Sequence, residues 1–174
     1  RRVALERGVV IHEGTRVVGA PSVARTGGPV RIETRSERGS GTVRADQVVM
    51  AMNAWAAAWR AFGSRLVTWS SYIVLTEPIP DRLADIGWTG GEGLADARFT
   101  LHYLRTTADG RIAIGGGGGT AGFGGRIGEV FTDSLDDARR AAAGLRRLFP
   151  SIADVRIEDA WGGPIDITSD HLPW

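Results

Sequence analysis

Apolar and polar positions along the chain mark one strong helix, one long strand and a series of shorter strands. Residues 66–76 are rich in Val, Thr, Trp, Tyr and Ile, side chains that suit a pleated surface, and Pro78 and Pro80 close the run. Residues 133–149 place Leu135, Ala138, Ala142, Leu145 and Leu148 on one helical face. Asp133 or Ser134 stands at the N-cap. Asp136 and Asp137 at the start and Arg146 and Arg147 at the end suit the helix dipole, and Pro150 stops the helix.

Shorter signals fill the rest. Residues 1–7 read as the last turns of a helix stopped by Gly8. The β-branched run 9–12, between Gly8 and Gly14, predicts a short buried strand. Residues 15–20, 30–34 and 42–44 predict a three-stranded meander with a turn at 37–41, and 48–51 a strand buried on both faces. Asn53 precedes a predicted helix at 54–62, in which Trp55 and Trp59 share a face and pack into the core; 80–86 predicts a short helix. Residues 99–105 and 111–115 flank Asp109-Gly110 and predict a hairpin. Residues 155–160 and 164–168 predict two strands around Trp161-Gly162-Gly163. The glycines between 115 and 125 invite a phosphate-cradle reading, which requires a helix immediately afterwards. Residues 127–131 show no helical period, so a turn closing a sheet is expected. The mixture predicts an α+β fold with a mixed, largely antiparallel sheet and flanking helices.

Composition narrows the chemistry. The 174 residues suit about one domain. All 21 basic side chains are Arg, set against 20 acidic ones for a net charge of +1, which argues against an electrostatic nucleic-acid binder. Without lysine there is no Schiff base and no P-loop lysine. Without cysteine there is no disulfide, thiolate metal site or thiol nucleophile. His12, His102 and His171 share no metal-ligand spacing, and no apolar run reaches membrane-spanning length. The expected location is cytoplasmic. The first residue is not methionine and falls in an expected helix, so the chain reads as a piece of a larger protein. No nucleophile–base pair is visible, and no catalytic side chain is assigned.

Four ordered segments carry a resemblance. They are residues 8–17 (Gly-Val-Val-Ile-His-Glu-Gly-Thr-Arg-Val), residues 45–55 (Ala-Asp-Gln-Val-Val-Met-Ala-Met-Asn-Ala-Trp), and residues 103–111 followed by Ile114-Gly115-Gly116. The last is Phe149-Pro150 with Ala160 to Pro164, Asp166, Thr168, Asp170 and Pro173. Together they resemble the FAD-dependent oxidoreductases of the D-amino acid oxidase superfamily, which includes glycine oxidase, sarcosine oxidase and the γ-glutamylputrescine oxidoreductases. The resemblance spans nearly the whole chain. It implies that the family's Gly-x-Gly-x-x-Gly motif lies before Arg1 and its C-terminal flavin segment after Trp174. Residues 1–64 then correspond to part of the FAD-binding domain with its meander, 65–160 to the substrate-binding domain, and 161–174 to a return toward the FAD-binding domain. FAD belongs to the full-length protein and is not expected to bind this chain alone.

Residue by residue, the resemblance matches Val17 to a strand position whose backbone touches adenine, a role compatible with its being simply a buried strand residue. Ala51, Asn53 and Ala54 match the turn beside the pyrophosphate and ribityl chain; a helix N-cap is the alternative for Asn53. Tyr103 matches an active-site tyrosine, with plain sheet packing as its alternative. Arg105, two residues on, shares that strand face and is alternatively a surface ion-pair residue. Glycine oxidase-like relatives carry a carboxylate-binding arginine just before the proline matched by Pro164; here that residue is Gly163. The implied activity is oxidation of the C–N bond of an amine or amino acid, with hydride transfer to flavin. The implied partner is a small molecule, and Gly163 favours an amine without an α-carboxylate. A non-catalytic α+β binding module and a fragment of a nicotinamide-dependent enzyme are the alternatives.

Overall fold

The computed structural model describes residues 1–24, 27–168 and 170; Pro173 of the fourth segment and His171 lie outside the described residues. The chain divides into two compact units, Arg1–Ala51 and Met52–Trp174.

In the first unit, helix α1 (Arg2–Glu6) ends before Gly8, whose φ of 81° is the left-handed conformation glycine adopts without a steric penalty. Strands β1 (Arg16–Val17), β2 (Val30–Ser36) and β3 (Gly39–Ala45) form the expected antiparallel meander in that order. Ser36 pairs with Gly39, so the turn is Glu37-Arg38, tighter than residues 37–41. Runs 9–12 and 48–51 are not strands, and Val49 is 91% exposed. Their β-branched side chains favour extension only where a neighbouring strand supplies a ladder, and among the described residues none does.

In the second unit, Asn53–Ala58 is a 3-10 helix in place of the expected α-helix at 54–62. With three residues per turn, positions i and i+3 align. Ala54 and Ala57 are therefore the buried pair, and Trp55 faces solvent instead of packing in the core. The chain continues through β4 (Leu66–Thr76), α2 (Pro80–Asp85), β5 (Leu94–Ala95), β6 (His102–Thr106), β7 (Ile112–Gly116), β8 (Ala121–Gly122), α3 (Leu135–Leu148) and β9 (Ile157–Thr168). The strands form one antiparallel sheet centred on β4. Strand β9 runs along the length of β4, β7 and β8 also pair with β4, and β6 and β5 follow β7. The hairpin β6–β7 is as the sequence predicts.

Two expected strands merge into β9. Gly162 is no turn: a Cβ there would come within 2.4 Å of the Tyr72 ring, so glycine is needed for packing across the β4–β9 pair.

Along β4 the even-numbered residues are buried and the odd-numbered ones lie on a more open face, the period of two that a half-covered sheet requires. The core lies on the buried face, where Val74, Leu104, Ile112 and Ile114 pack with Ala141, Ala142 and Leu145 of α3. Ser134 caps α3 by accepting from Asp137 N at 3.2 Å. The helix buries Asp137, Ala141, Ala142, Gly144 and Leu145, and Ala138 and Leu148 pack against the core; of the expected stripe only Leu135 is exposed. Phe149 stacks on Trp88 with ring centroids 5.5 Å apart. No helix among the described residues is long and apolar enough to cross a membrane.

Candidate active site

The open face of the second unit's sheet carries the candidate site. In β6 the alternation buries His102, Leu104 and Thr106 and turns Tyr103 and Arg105 outward. Tyr103 pairs with Gly115, which in turn pairs with Ile73. A Cβ on Gly115 would lie 2.4 Å from the Tyr103 ring, so the missing side chain lets the phenol lie across β7. Its hydroxyl then reaches Ser71 Oγ on β4 at 3.0 Å. Gly163 pairs with Ser71 from the other side, and a Cβ built on Gly163 meets nothing within 4 Å. The position of a Gly163 side chain is therefore open space on the same face as Tyr103.

A concavity of about 650 Å³ occupies this face, within the range of roughly 300–1,000 Å³ typical of small-molecule sites. Strand β4 contributes Val67, Trp69 and Ser71, β9 contributes Ile165 and Ile167, β6 contributes Tyr103, and residues Phe99, Thr100 and Leu101 form one wall. Among the described residues every polar side chain lining it is a hydroxyl or an indole; none is charged. Arg105 lies outside the lining. Its Nε donates to the Thr106 carbonyl at 3.4 Å.

The other matched residues fall elsewhere. Asn53 has φ 50°, and its Oδ1 accepts from Ala54 N at 2.7 Å and from Asp166 N of β9 at 3.0 Å. The side chain thus locks a left-handed turn onto the sheet rather than serving as an N-cap, which is Met52. Ala54 is fully buried. Ala51 and Val17 belong to the first unit and are exposed. There Val17, with Thr15, Ile32, Thr34 and Val43, lines a second concavity of about 550 Å³.

Two buried polar groups behind the open face escape sequence reasoning. His102 is 2% exposed. Its Nδ1 lies 2.8 Å from Asp96 Oδ2, and its backbone N donates to Asp96 Oδ1 at 2.8 Å. The hydrogen bond from the His102 side chain is the main cause that holds the Asp96 carboxyl below the usual carboxylate range. A Cβ on Gly144 or Gly117 would strike the imidazole, so those glycines make room for the ring. The available signal was alternation in His102-Tyr103-Leu104-Arg105-Thr106, which puts His102 on the helix side, together with a glycine inside α3. Asp137 is also buried. It accepts from Ser70 Oγ at 3.0 Å, from Thr120 Oγ1 at 3.4 Å and from Arg140, joining α3, β4 and the glycine-rich loop. Among the described residues no group of three His, Asp or Glu side chains is placed to hold a metal ion.

The FAD dependent oxidoreductase family matches residues 1–174. The chain is 33% identical over 181 residues to a probable oxidoreductase, OrdL, of Rhizobium meliloti, covering 99% of this chain and 36% of that protein. It is 27% identical over 135 residues to the gamma-glutamylputrescine oxidoreductase of Escherichia coli, covering 76% and 30%. The chain thus spans about a third of the length of these curated relatives. Among solved structures it is similar to L-proline dehydrogenase from P. horikoshii, with a TM-score of 0.67, 23% identity, and 98% and 42% coverage. The glycine oxidase from Geobacillus kaustophilus gives a TM-score of 0.64, 21% identity, and 98% and 41% coverage. These likenesses establish the fold.

Proposed function

The chain belongs to the FAD dependent oxidoreductase family, and from that premise we propose that it supplies the substrate-binding sheet of an enzyme that oxidises the C–N bond of an amine. The observation that carries this reading is the open face itself. Tyr103 lies flat over Gly115, Gly163 leaves the neighbouring position empty, and no charged side chain lines the cavity among the described residues. A carboxylate taken into such a place without a guanidinium loses its hydration with nothing to replace it. An amine without an α-carboxylate has no carboxylate to desolvate, and an uncharged lining favours it as the neutral base.

In this reading the family's FAD supplies the two-electron acceptor when bound. The apolar walls exclude water, and the Ser71–Tyr103 pair offers hydroxyls to orient the substrate. Arg105, at the margin, is a substrate-binding residue only for a group that extends past the cavity. For the cofactor, the side chain of Asn53 is already committed to its own turn and Ala54 is buried, so those two fit through the local backbone. Val17 and Ala51 stand exposed in the first unit and fit direct contact.

The same proposal keeps residues 1–64 as part of the cofactor domain, 65–160 as the substrate domain and 161–174 as the return, with a small-molecule partner and a cytoplasmic location. The 174-residue chain on its own is expected to be inactive. The test is kcat/KM of the full-length protein for primary and secondary amines against glycine and D-alanine, with Arg105→Ala alongside. Amines are expected to be preferred at least tenfold, and the mutant to keep that order. A preference for amino acids that collapses in the mutant would assign the carboxylate anchor to Arg105 and refute the amine reading.

A further inference from the structure

Strands β7 and β8 pair with the same edge of β4, at Ile73–Leu75 and at Thr68–Trp69. Between them, residues 117–120 close the gap beside Ser70, and the closure is held from the opposite face of the sheet. Ser70 N donates to the Thr120 carbonyl at 2.9 Å, and Thr120 N donates to Ser70 Oγ at 2.6 Å. Ser70 Oγ in turn donates to Asp137 Oδ2 at 3.0 Å, and Thr120 Oγ1 donates to the same oxygen at 3.4 Å. Asp137 is itself fixed: its backbone N donates to Ser134 Oγ at 3.2 Å, and Arg140 pairs with its Oδ1. Arg140 also backs the loop, since a Cβ on Gly118 would meet its Cδ at 3.4 Å. The front of the loop carries Trp69. A Cβ on Gly119 would strike both the Ser70 carbonyl and the Trp69 indole nitrogen, so the indole rests on bare backbone. Trp69, Ser71 and Gly118 line the cavity. Trp69 stands two residues from Ser71 on the same face, about 7 Å along the strand, so it meets a part of the ligand away from the Ser71–Tyr103 pair.

We propose that Asp137 is a positioning residue that acts through the sheet. By holding Ser70 and Thr120 it fixes the backbone of Gly119, and that backbone fixes the Trp69 indole as a platform for the alkyl chain of the amine. The proposal rests on the amine-oxidoreductase reading of the same face. Asp137 lines no part of the cavity; Trp69 makes the contact, through the apolar area of its ring. Loss of the tie therefore weakens binding more than it slows hydride transfer.

The test uses the FAD-loaded full-length protein labelled with fluorotryptophan, in which the Trp69 fluorine resonance is assigned by its loss in Trp69→Phe. Without ligand, Asp137→Ala is expected to shift or broaden that resonance, and Asp137→Asn, which keeps an acceptor for Ser70, to restore it. Anaerobic flavin reduction at increasing butylamine then gives a dissociation constant and a limiting rate. Asp137→Ala is expected to raise the dissociation constant about tenfold and to change the limiting rate less than about twofold. Trp69→Ala is expected to weaken butylamine to the same extent, and adding Asp137→Ala to it to bring less than about twofold more, because both act on one contact. A Trp69 resonance unmoved in Asp137→Ala or not restored in Asp137→Asn, or losses that add in the double variant, overturns the inference. Should Asp137→Ala fail to fold, Ser70→Ala removes the link and leaves Asp137 its bonds to Ser134 and Arg140; an unmoved resonance or an unaltered dissociation constant there overturns it equally. If the resonance responds as expected while butylamine neither binds nor reduces the flavin, the proposed function is contradicted and the tie from Asp137 to Trp69 stands.

Discussion

Glycines decide the site at the residue scale, each by a different route. Gly115 is defined by what crosses it: the Tyr103 ring would lie 2.4 Å from any Cβ there. In Gly115→Ala the ring is expected to swing outward and break its 3.0 Å contact with Ser71. Overpacking typically costs about 1–3 kcal/mol, and Tyr103, a residue 38% exposed, has room to move, so the expected loss is near the lower end. Urea unfolding of the 174-residue chain gives the energy, and a structure of the variant shows the ring; an unmoved ring would contradict this account. Gly163 has no such neighbour and is free to take a side chain. From sequence, Tyr103 and Arg105 were legible as a pair because strand alternation puts i and i+2 on one face. The role of Gly115 was not, since its partner is twelve residues away and meets it only through the hairpin register.

Elements were legible in proportion to how far they carry their own stabilisation. Strand β4 matches the sequence reading at both ends because its eleven residues are rich in side chains that suit a pleated surface and prolines close the run. Helix α3 brings its own cap and a favourable charge gradient. Runs 9–12 and 48–51 carry the same β-branched residues, yet strand formation depends on a partner that the local sequence does not encode. The sequence divides strand β9 in two because Trp161-Gly162-Gly163 looks like a turn; the pairing with β4 overrides that local preference. The sequence likewise hides the seam between α3 and the sheet, where Asp137 joins Ser70, Thr120 and Arg140. Asp137→Ala would leave the buried Ser70 hydroxyl without its carboxylate acceptor, a loss of about 1–3 kcal/mol. It is also expected to loosen the Thr120 loop, which amide exchange at Thr120 and Ser70 reports. Unchanged stability and exchange would contradict this account.

At the scale of the whole molecule, charge pairing predicts an acid limit. Glu77 is held below the usual carboxylate range by the backbone N–H and guanidinium of Arg156, and Asp96 by the His102 side chain. Asp109 is held down by the Thr107 hydroxyl and then Arg111, and Asp154 by Arg82. A carboxyl depressed in the folded state contributes stability that is complete above its unfolded value, about 4. That stability is lost as pH falls through the lower folded value. The chain is therefore expected to unfold at lower urea concentration at pH 3 than at pH 7, with Glu77→Gln reducing the difference. Equal midpoints would contradict it. All four carboxylates lie in the second unit, so its unfolding is the transition that should move.

The account's central claim is that this sheet presents an amine, not an amino acid, to the flavin of a larger enzyme. Anaerobic mixing of the FAD-loaded full-length protein with substrate, followed at the flavin absorbance band, tests it most directly. A primary or secondary amine is expected to bleach the flavin while glycine and D-alanine leave it oxidised over the same interval. Rapid bleaching by the amino acids, with the amines inert, would contradict the claim.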